Sequence, residues 1–126
     1  MALRVVVVEK DPAVARLYRE EIGDAGFAVQ VLPDLEMAMV RLAQEPAQMV
    51  VTDLGSAHGR LRSWLPQVRR VHGGPLFILG RSCEMTAPDD DELRILPKTS
   101  DIAPLIASLR REALRLSWSR AMTPTC

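Results

Sequence analysis

Charged side chains follow three of the five apolar runs in this sequence, and their types are suited to charge-based chemistry. They are Glu9, Lys10 and Asp11 after the first run, Asp53 after the third run and Lys98 after the fifth run. Carboxylates bind cations and ammonium groups, whereas ammonium groups bind carboxylates and other anions. If the fold gathers these positions, the sequence predicts one crevice lined by three acids and two lysines.

The five apolar runs are short, continuous and rich in β-branched residues, which is typical of strands covered on both faces. They are Leu3–Val8, Phe27–Leu32, Gln48–Thr52, Pro75–Leu79 and Leu93–Leu96. The stretches between most of them carry apolar residues at helical spacing. Strand alternating with helix predicts an α/β fold with a doubly wound, five-stranded parallel sheet. Sites in such sheets form just past the carboxyl ends of the strands, where the charged residues lie.

The stretch between Gly80 and Leu93 departs from this pattern because it has no apolar stripe. It contains Pro88 and a run of four acids at 89–92. We therefore expect the fourth crossover helix to be short or missing. The acids are expected to be solvated.

Composition excludes several classes of function. The chain has 126 residues, which predicts one domain, and 16 acids balance 16 bases, so bulk charge favours neither nucleic acid nor membrane as a partner. Two cysteines fit a reducing cytoplasm. The sequence lacks zinc-ligand spacing, a phosphate-binding glycine loop and a nucleophile–base pair, and we expect His58 to be a surface residue. Arg60, Arg62, Arg69 and Arg70 give the third helix either a solvated basic face or a docking patch.

Four motifs occur in the order and spacing of a known family. They are VVVVEKDP at 5–12, MVVTDL at 49–54, PLFILG at 75–80 and LPK at 96–98. On these motifs the chain resembles the receiver domain of two-component response regulators from about residue 3 to residue 116. The resemblance implies a flavodoxin-like fold. It also implies that Asp53 is the phospho-acceptor position, that an acidic pair after the first strand holds Mg²⁺, and that Lys98 contacts the phosphoryl oxygens.

Three positions depart from the family pattern. Glu9 keeps the first acid of the pair, but Lys10 occupies the second position. Gly80 stands where the family has a Ser or Thr, and Ile95 stands where it has an aromatic residue. The two side chains that move on activation in the family are therefore absent from this sequence.

Lys10 changes what the site can bind, because an ammonium cannot ligate a metal and repels it. We expect no cofactor, with Mg²⁺ binding unlikely or weak and Glu9 and Asp53 the only weak candidates for ligands. Asp11 belongs to the acidic pocket unless it only caps the following helix. Two alternatives stay open for Lys10: it points to solvent, or its ammonium lies against Asp53 in place of the metal.

The last predicted helix offers a candidate interface. Leu114 and Trp118 lie off its apolar stripe and four residues apart, where their side chains can meet. They form either a lid on the helix end or part of an interface, and we favour an interface because Trp is enriched there. This predicts a protein partner and a possible homodimer through the last helix. The domain is expected over 1–118 with a tail at 119–126, as a stand-alone regulator or an excised receiver.

The function predicted from these residues is that of an atypical receiver domain of a bacterial, cytoplasmic two-component pathway, acting mainly through protein–protein contacts. Its partner would be a histidine kinase or another signalling protein. It would not be an enzyme, beyond self-phosphorylation from a kinase phosphohistidine. The alternative is a working response regulator that a histidine kinase phosphorylates on Asp53. A remote third possibility is an unrelated small-molecule binder of doubly wound fold.

Overall fold

A computed structural model describes residues 2–53, 61–80 and 89–122, with side chains up to Ser117 in the last segment. The strands are β1 (Arg4–Val8), β2 (Ala28–Leu32), β3 (Met49–Asp53), β4 (Leu76–Gly80) and β5 (Leu93–Pro97). The helices of the described part are α1 (Pro12–Asp24), α2 (Leu35–Gln44), α3 (Leu61–Val71) and α4 (Ala103–Met122).

The strands form one parallel sheet with the order β2-β1-β3-β4-β5. The predicted doubly wound five-stranded sheet is therefore confirmed, and each strand lies within one residue of its predicted run. The fourth crossover is only partly described, because residues 81–88 lie outside the described part. Residues 89–92 form a bend and a turn before β5.

Alternate strand residues point to opposite faces of the sheet and build two separate halves of the core. On one face, Val6, Val50 and Ile78 pack against α2 and α3. On the other face, Val51 and Phe77 pack against α1 and α4. The four valines at 5–8 in β1 are fully buried because both faces of the sheet are covered by helices.

Helix starts are fixed by side chains that the sequence marks as caps. The Asp11 carboxylate accepts hydrogen bonds from the backbone N–H groups of Ala13 and Val14, and Pro12 opens α1. At the start of α4, Asp101 accepts a hydrogen bond from the Ala103 N–H at 3.0 Å. Glu9 and Lys98 lie in the short loops between these strands and the capped helices. The caps therefore limit the positions that the two residues can take.

Candidate functional site

The crevice lies at the carboxyl ends of β1, β3 and β5. In this strand order β1 and β3 are neighbours whose crossovers run in opposite directions along the sheet, and that is where α/β sheets form their sites. Glu9 follows β1, Asp53 ends β3, and Lys98 follows β5. The Lys98 ammonium contacts the Asp53 carboxylate directly and lies 3.7 Å from Glu9 Oε2. The structure therefore brings together three of the charged residues that the sequence singled out.

The two carboxylates of this cluster are buried, so water screens their charges less than at the surface. The side chains of Glu9 and Asp53 are 2% and 5% exposed, whereas that of Lys98 is 42% exposed. Glu9 Oε1 accepts a hydrogen bond from the Asp11 N–H at 3.1 Å. Glu9 Oε2 has no hydrogen-bond partner in the described part of the chain, and the Lys98 ammonium lies within ion-pair distance of it. The three side chains together carry a formal charge of minus one.

Tyr18 on α1 lies near this cluster and has a raised pKa. Burial, followed by the negative charge of Glu9, raises the pKa of Tyr18 to about 12. The phenol therefore stays protonated at neutral pH. Next to it, a cavity of about 490 Å³ between α1 and the start of α4 is lined by Tyr18, Leu79, Leu96, Lys98 and Leu105, among others.

The other two charged residues after β1 lie at the surface. Asp11 is exposed, and its carboxylate caps α1. Lys10 is also exposed, and it makes a non-covalent contact with another residue. Asp53 likewise makes a contact in addition to the one with Lys98. Whether the Lys10 ammonium lies against Asp53 stays a prediction.

Gly80 and Ile95 are the two residues that the sequence resemblance assigns to the family's switch positions. Gly80 ends β4, and its carbonyl accepts a hydrogen bond from the Lys98 N–H at 3.3 Å, which ties the ends of β4 and β5 together. Ile95 is partly buried and packs against the half of the core that lies under α2 and α3. Gly80 offers no hydroxyl, and Ile95 is held by apolar packing.

The donor set fits Mg²⁺ poorly. This ion requires octahedral oxygen coordination, with several carboxylate or water oxygens. Glu9 and Asp53 share the Lys98 ammonium, and the Asp11 carboxylate is engaged at the start of α1. Within residues 2–53, 61–80 and 89–122, the structure contains no cluster of three or more His, Cys, Asp or Glu side chains arranged to hold a metal.

The basic face predicted for α3 and the solvated acidic run at 89–92 each need correction in part. Asp89 and Asp91 are exposed as predicted, and Arg60 lies outside the described residues. Arg69 pairs with Asp90 through two hydrogen bonds of 2.8 and 2.9 Å. Its Nη1 also donates to the carbonyls of His72 and Gly74. The hydrogen bonds to Arg69 lower the pKa of Asp90. Arg69 therefore fastens α3 to the segment before β5, and only Arg62 and Arg70 remain exposed in the described part of this face.

A second network of ion pairs links β5 and α4. Glu112 is buried and accepts hydrogen bonds from Arg94 and Arg115, and Arg115 also reaches Glu92. Burial raises the pKa of Glu112, but the hydrogen bonds and charges of Arg115 and Arg94 outweigh burial, and the pKa is lowered. No local signal marks these partners, because Arg94 and Glu112 are 18 residues apart.

His72 is a further buried polar residue that the sequence did not identify. It follows α3, is 5% exposed, and its Nε2 lies 2.9 Å from the Pro75 carbonyl. Burial is the main reason that the pKa of His72 is lowered, and Arg69 adds to this effect, so the ring is neutral at neutral pH. His58, the other histidine, lies outside the described residues.

The candidate interface on α4 is described in part. Leu114 is 73% exposed, the largest exposure among the big apolar side chains in the described part of the chain. The backbone of α4 continues to Met122, and the side chain of Trp118 lies outside the described residues. No helix in the described part is long and apolar enough to span a membrane.

Comparison with solved structures identifies the fold. The CheY-like response regulator receiver domain from Methylobacillus flagellatus superposes with a TM-score of 0.76 at 18% identity, covering 89% of this chain and 99% of that one. A response regulator receiver protein from Sinorhizobium medicae gives 0.73 at 20% identity, covering 88% and 94%. The BeF3-activated N-terminal receiver domain of Klebsiella pneumoniae RstA gives 0.66 at 25% identity, covering 86% and 97%.

These similarities show that the chain has the fold of response regulator receiver domains. The fold implied by the four sequence motifs is thereby confirmed. No protein-family model and no curated protein matches the sequence.

Proposed function

We propose that this chain is an atypical receiver domain of a two-component pathway that acts through protein–protein contacts. In this proposal lysine charge takes the place of the metal ion that the family binds. The observation that carries the proposal is the charge of the crevice: Lys10 stands where the family has its second acid, and the Lys98 ammonium already contacts the buried carboxylate of Asp53. The receiver fold supports the assignment to this class of signalling domain.

Charge supports a site without metal. Glu9 and Asp53 contribute minus two, and Lys98 and Lys10 contribute plus two, so the four side chains sum to zero. A divalent ion would leave plus two in a site whose carboxylates are buried. The proposal therefore includes no bound cofactor at physiological Mg²⁺.

The lost switch positions support signalling that does not depend on phosphorylation. A ligand shifts a conformational equilibrium only by its different affinity for the two states. Gly80 cannot hydrogen-bond a phosphoryl group through a side chain, and Ile95 is packed against the core. A phosphoryl group on Asp53 would therefore distinguish the two states poorly, and partner binding would be nearly constitutive.

One observation favours the alternative of a working phospho-acceptor. Asp53 ends β3 with a lysine in contact, and an ammonium at that place can offset the charge of an incoming phosphoryl group. In that case a histidine kinase would be the partner, and the chain would accept the group from its phosphohistidine. We place the protein in the cytoplasm in either case, on the scarcity of cysteine.

Intact-mass measurement after exposure to acetyl phosphate, with and without Mg²⁺, separates the two functions. We expect no mass gain of one phosphoryl group in either condition, while a receiver domain known to react is modified in parallel. Asp53→Asn is the matched control variant. A Mg²⁺-dependent gain that disappears in Asp53→Asn would show a working phospho-acceptor and contradict the proposal.

A further inference from the structure

The outer face of α4 presents an exposed leucine beside arginines. Leu114 is 73% exposed, and Arg110 and Arg111 are exposed one turn before it. Residues three and four apart on a helix are neighbours, so these three side chains share one face. The opposite face packs on the core through Leu105 and Leu109.

This face is uncovered because it points away from the sheet. Leu109 is the last fully buried apolar side chain in the described part of α4, and Ala113 and Leu116 further along still pack against the core. At 3.6 residues per turn, Leu114 lies on the opposite side of the helix from these residues.

The charge of this face is positive. Glu112 is the only acid of α4, and it is buried and neutralised by Arg94 and Arg115. Among the described residues neither Arg110 nor Arg111 forms an ion pair. Two acids, Glu21 of α1 and Asp101 before α4, line the same groove as Arg110, whereas Arg111 does not line it. A partner on this face thus meets an apolar side chain flanked by guanidinium groups.

We propose that this face binds an acidic amphipathic helix of another protein. The inference rests on the proposed function and names the chemical class of its partner. Leu114 would anchor the apolar side of the partner helix, and its carboxylates would pair with Arg110 and Arg111. A second copy of the chain fits less well, because a two-fold axis through α4 would place arginine opposite arginine.

The test uses the full chain and a dye-labelled helical peptide of about twenty residues, with glutamates on one face and leucines on the other. A scrambled peptide of the same composition and a DNA duplex are the reference ligands, and fluorescence anisotropy gives the affinities. The test variant is Arg110→Glu with Arg111→Glu. Its matched control, Arg19→Glu with Arg62→Glu, makes the same charge change on exposed positions of α1 and α3.

We expect the Arg110→Glu, Arg111→Glu variant to bind the peptide at least about tenfold more weakly, and the control to change the affinity less than about twofold. Leu114→Ala should weaken binding at least about fivefold. All the substituted side chains are exposed, so we expect each variant to fold. Circular dichroism verifies this.

The proposal is wrong if the peptide shows no saturable binding, if the scrambled peptide binds equally well, or if the control variant loses as much affinity. Tighter binding of the DNA duplex with the same arginine dependence would identify nucleic acid as the partner and also refute it. A dimer in sedimentation that the charge reversal dissociates would identify a second copy instead. Phosphorylation of Asp53 would contradict the proposed function and leave these binding results unchanged, so the two failures are distinguishable.

Discussion

Lys98→Met removes the ammonium that lies between two buried carboxylates while keeping a side chain of similar length. In the wild type, Asp53 contacts this ammonium and Glu9 Oε2 lies 3.7 Å from it. After the substitution, both carboxylates face each other without the charge of Lys98. We therefore expect the variant to fold but to be clearly less stable than the wild type near neutral pH.

The magnitude follows from burial. Removing one partner of a fully buried ion pair costs about 3–5 kcal/mol, because the other charge stays buried without compensation. Here the carboxylates are 2% and 5% exposed, but Lys98 is 42% exposed, so water already screens part of the interaction. We expect a loss of about 2 kcal/mol in the free energy of unfolding. For a domain of this size, that loss lowers the Tm by about 8 °C.

The assay is urea and thermal unfolding of Lys98→Met, Asp53→Asn, the double variant and the wild type. Asp53→Asn alone should also be less stable near neutral pH, because Lys98 loses its closest partner. In the double variant the two losses should not add, with a coupling of about 1 kcal/mol or more.

Lys10→Met is the matched control for Lys98→Met, since it makes the same change in side chain and charge. A cost under about 0.5 kcal/mol would favour a solvent-facing Lys10. A cost near that of Lys98→Met, removed by Asp53→Asn, would favour a second ammonium at Asp53. If Lys98→Met is as stable as the wild type at neutral pH, Lys98 does not stabilise the two buried carboxylates.

Three more predictions concern other parts of the molecule. Burial lowers the pKa of His72 in the folded state, so the unfolded state takes up the proton first as the pH falls. The free energy of unfolding should therefore decrease as the pH drops below about 6.5. Urea unfolding should show this decrease in the wild type and a smaller one in His72→Gln. Arg69→Gln, which removes the double contact with Asp90, should cost about 2 kcal/mol in thermal unfolding, and a cost no larger than that of Arg62→Gln would contradict the fastening role of Arg69. Trp118→Ala should weaken binding of the acidic peptide at least about tenfold, whereas Asp53→Asn should change it less than about threefold in the same anisotropy assay; the reverse order would speak for a phospho-switch.

The sheet was predictable because its central strands β1, β3 and β4 are buried on both faces. Four consecutive valines in β1 are fully buried, and only a strand covered by helices on both sides explains such a run in a chain of this size. The convergence of Glu9, Asp53 and Lys98 follows from the same reasoning, since the carboxyl ends of parallel strands meet at one edge.

The contacts within the site could not be predicted to the same depth. Both Lys10 and Lys98 follow strands, and the sequence does not say which ammonium reaches Asp53, because side-chain direction beyond a strand depends on the loop. The pairing of Arg69 with Asp90 was missed because the partners are 21 residues apart and carry no shared motif. The composition of α3 predicted a basic face, but the fold places Asp90 against one of its arginines, Arg69.

Calorimetric titration of the wild type with Mg²⁺ measures whether the crevice, in which lysine charge takes the place of a metal ion, can bind this ion. Glu9→Gln is the matched control, because it removes a buried carboxylate with little change in shape. We expect no saturable binding at millimolar Mg²⁺ in either protein. Saturable binding by the wild type that Glu9→Gln abolishes would contradict this expectation.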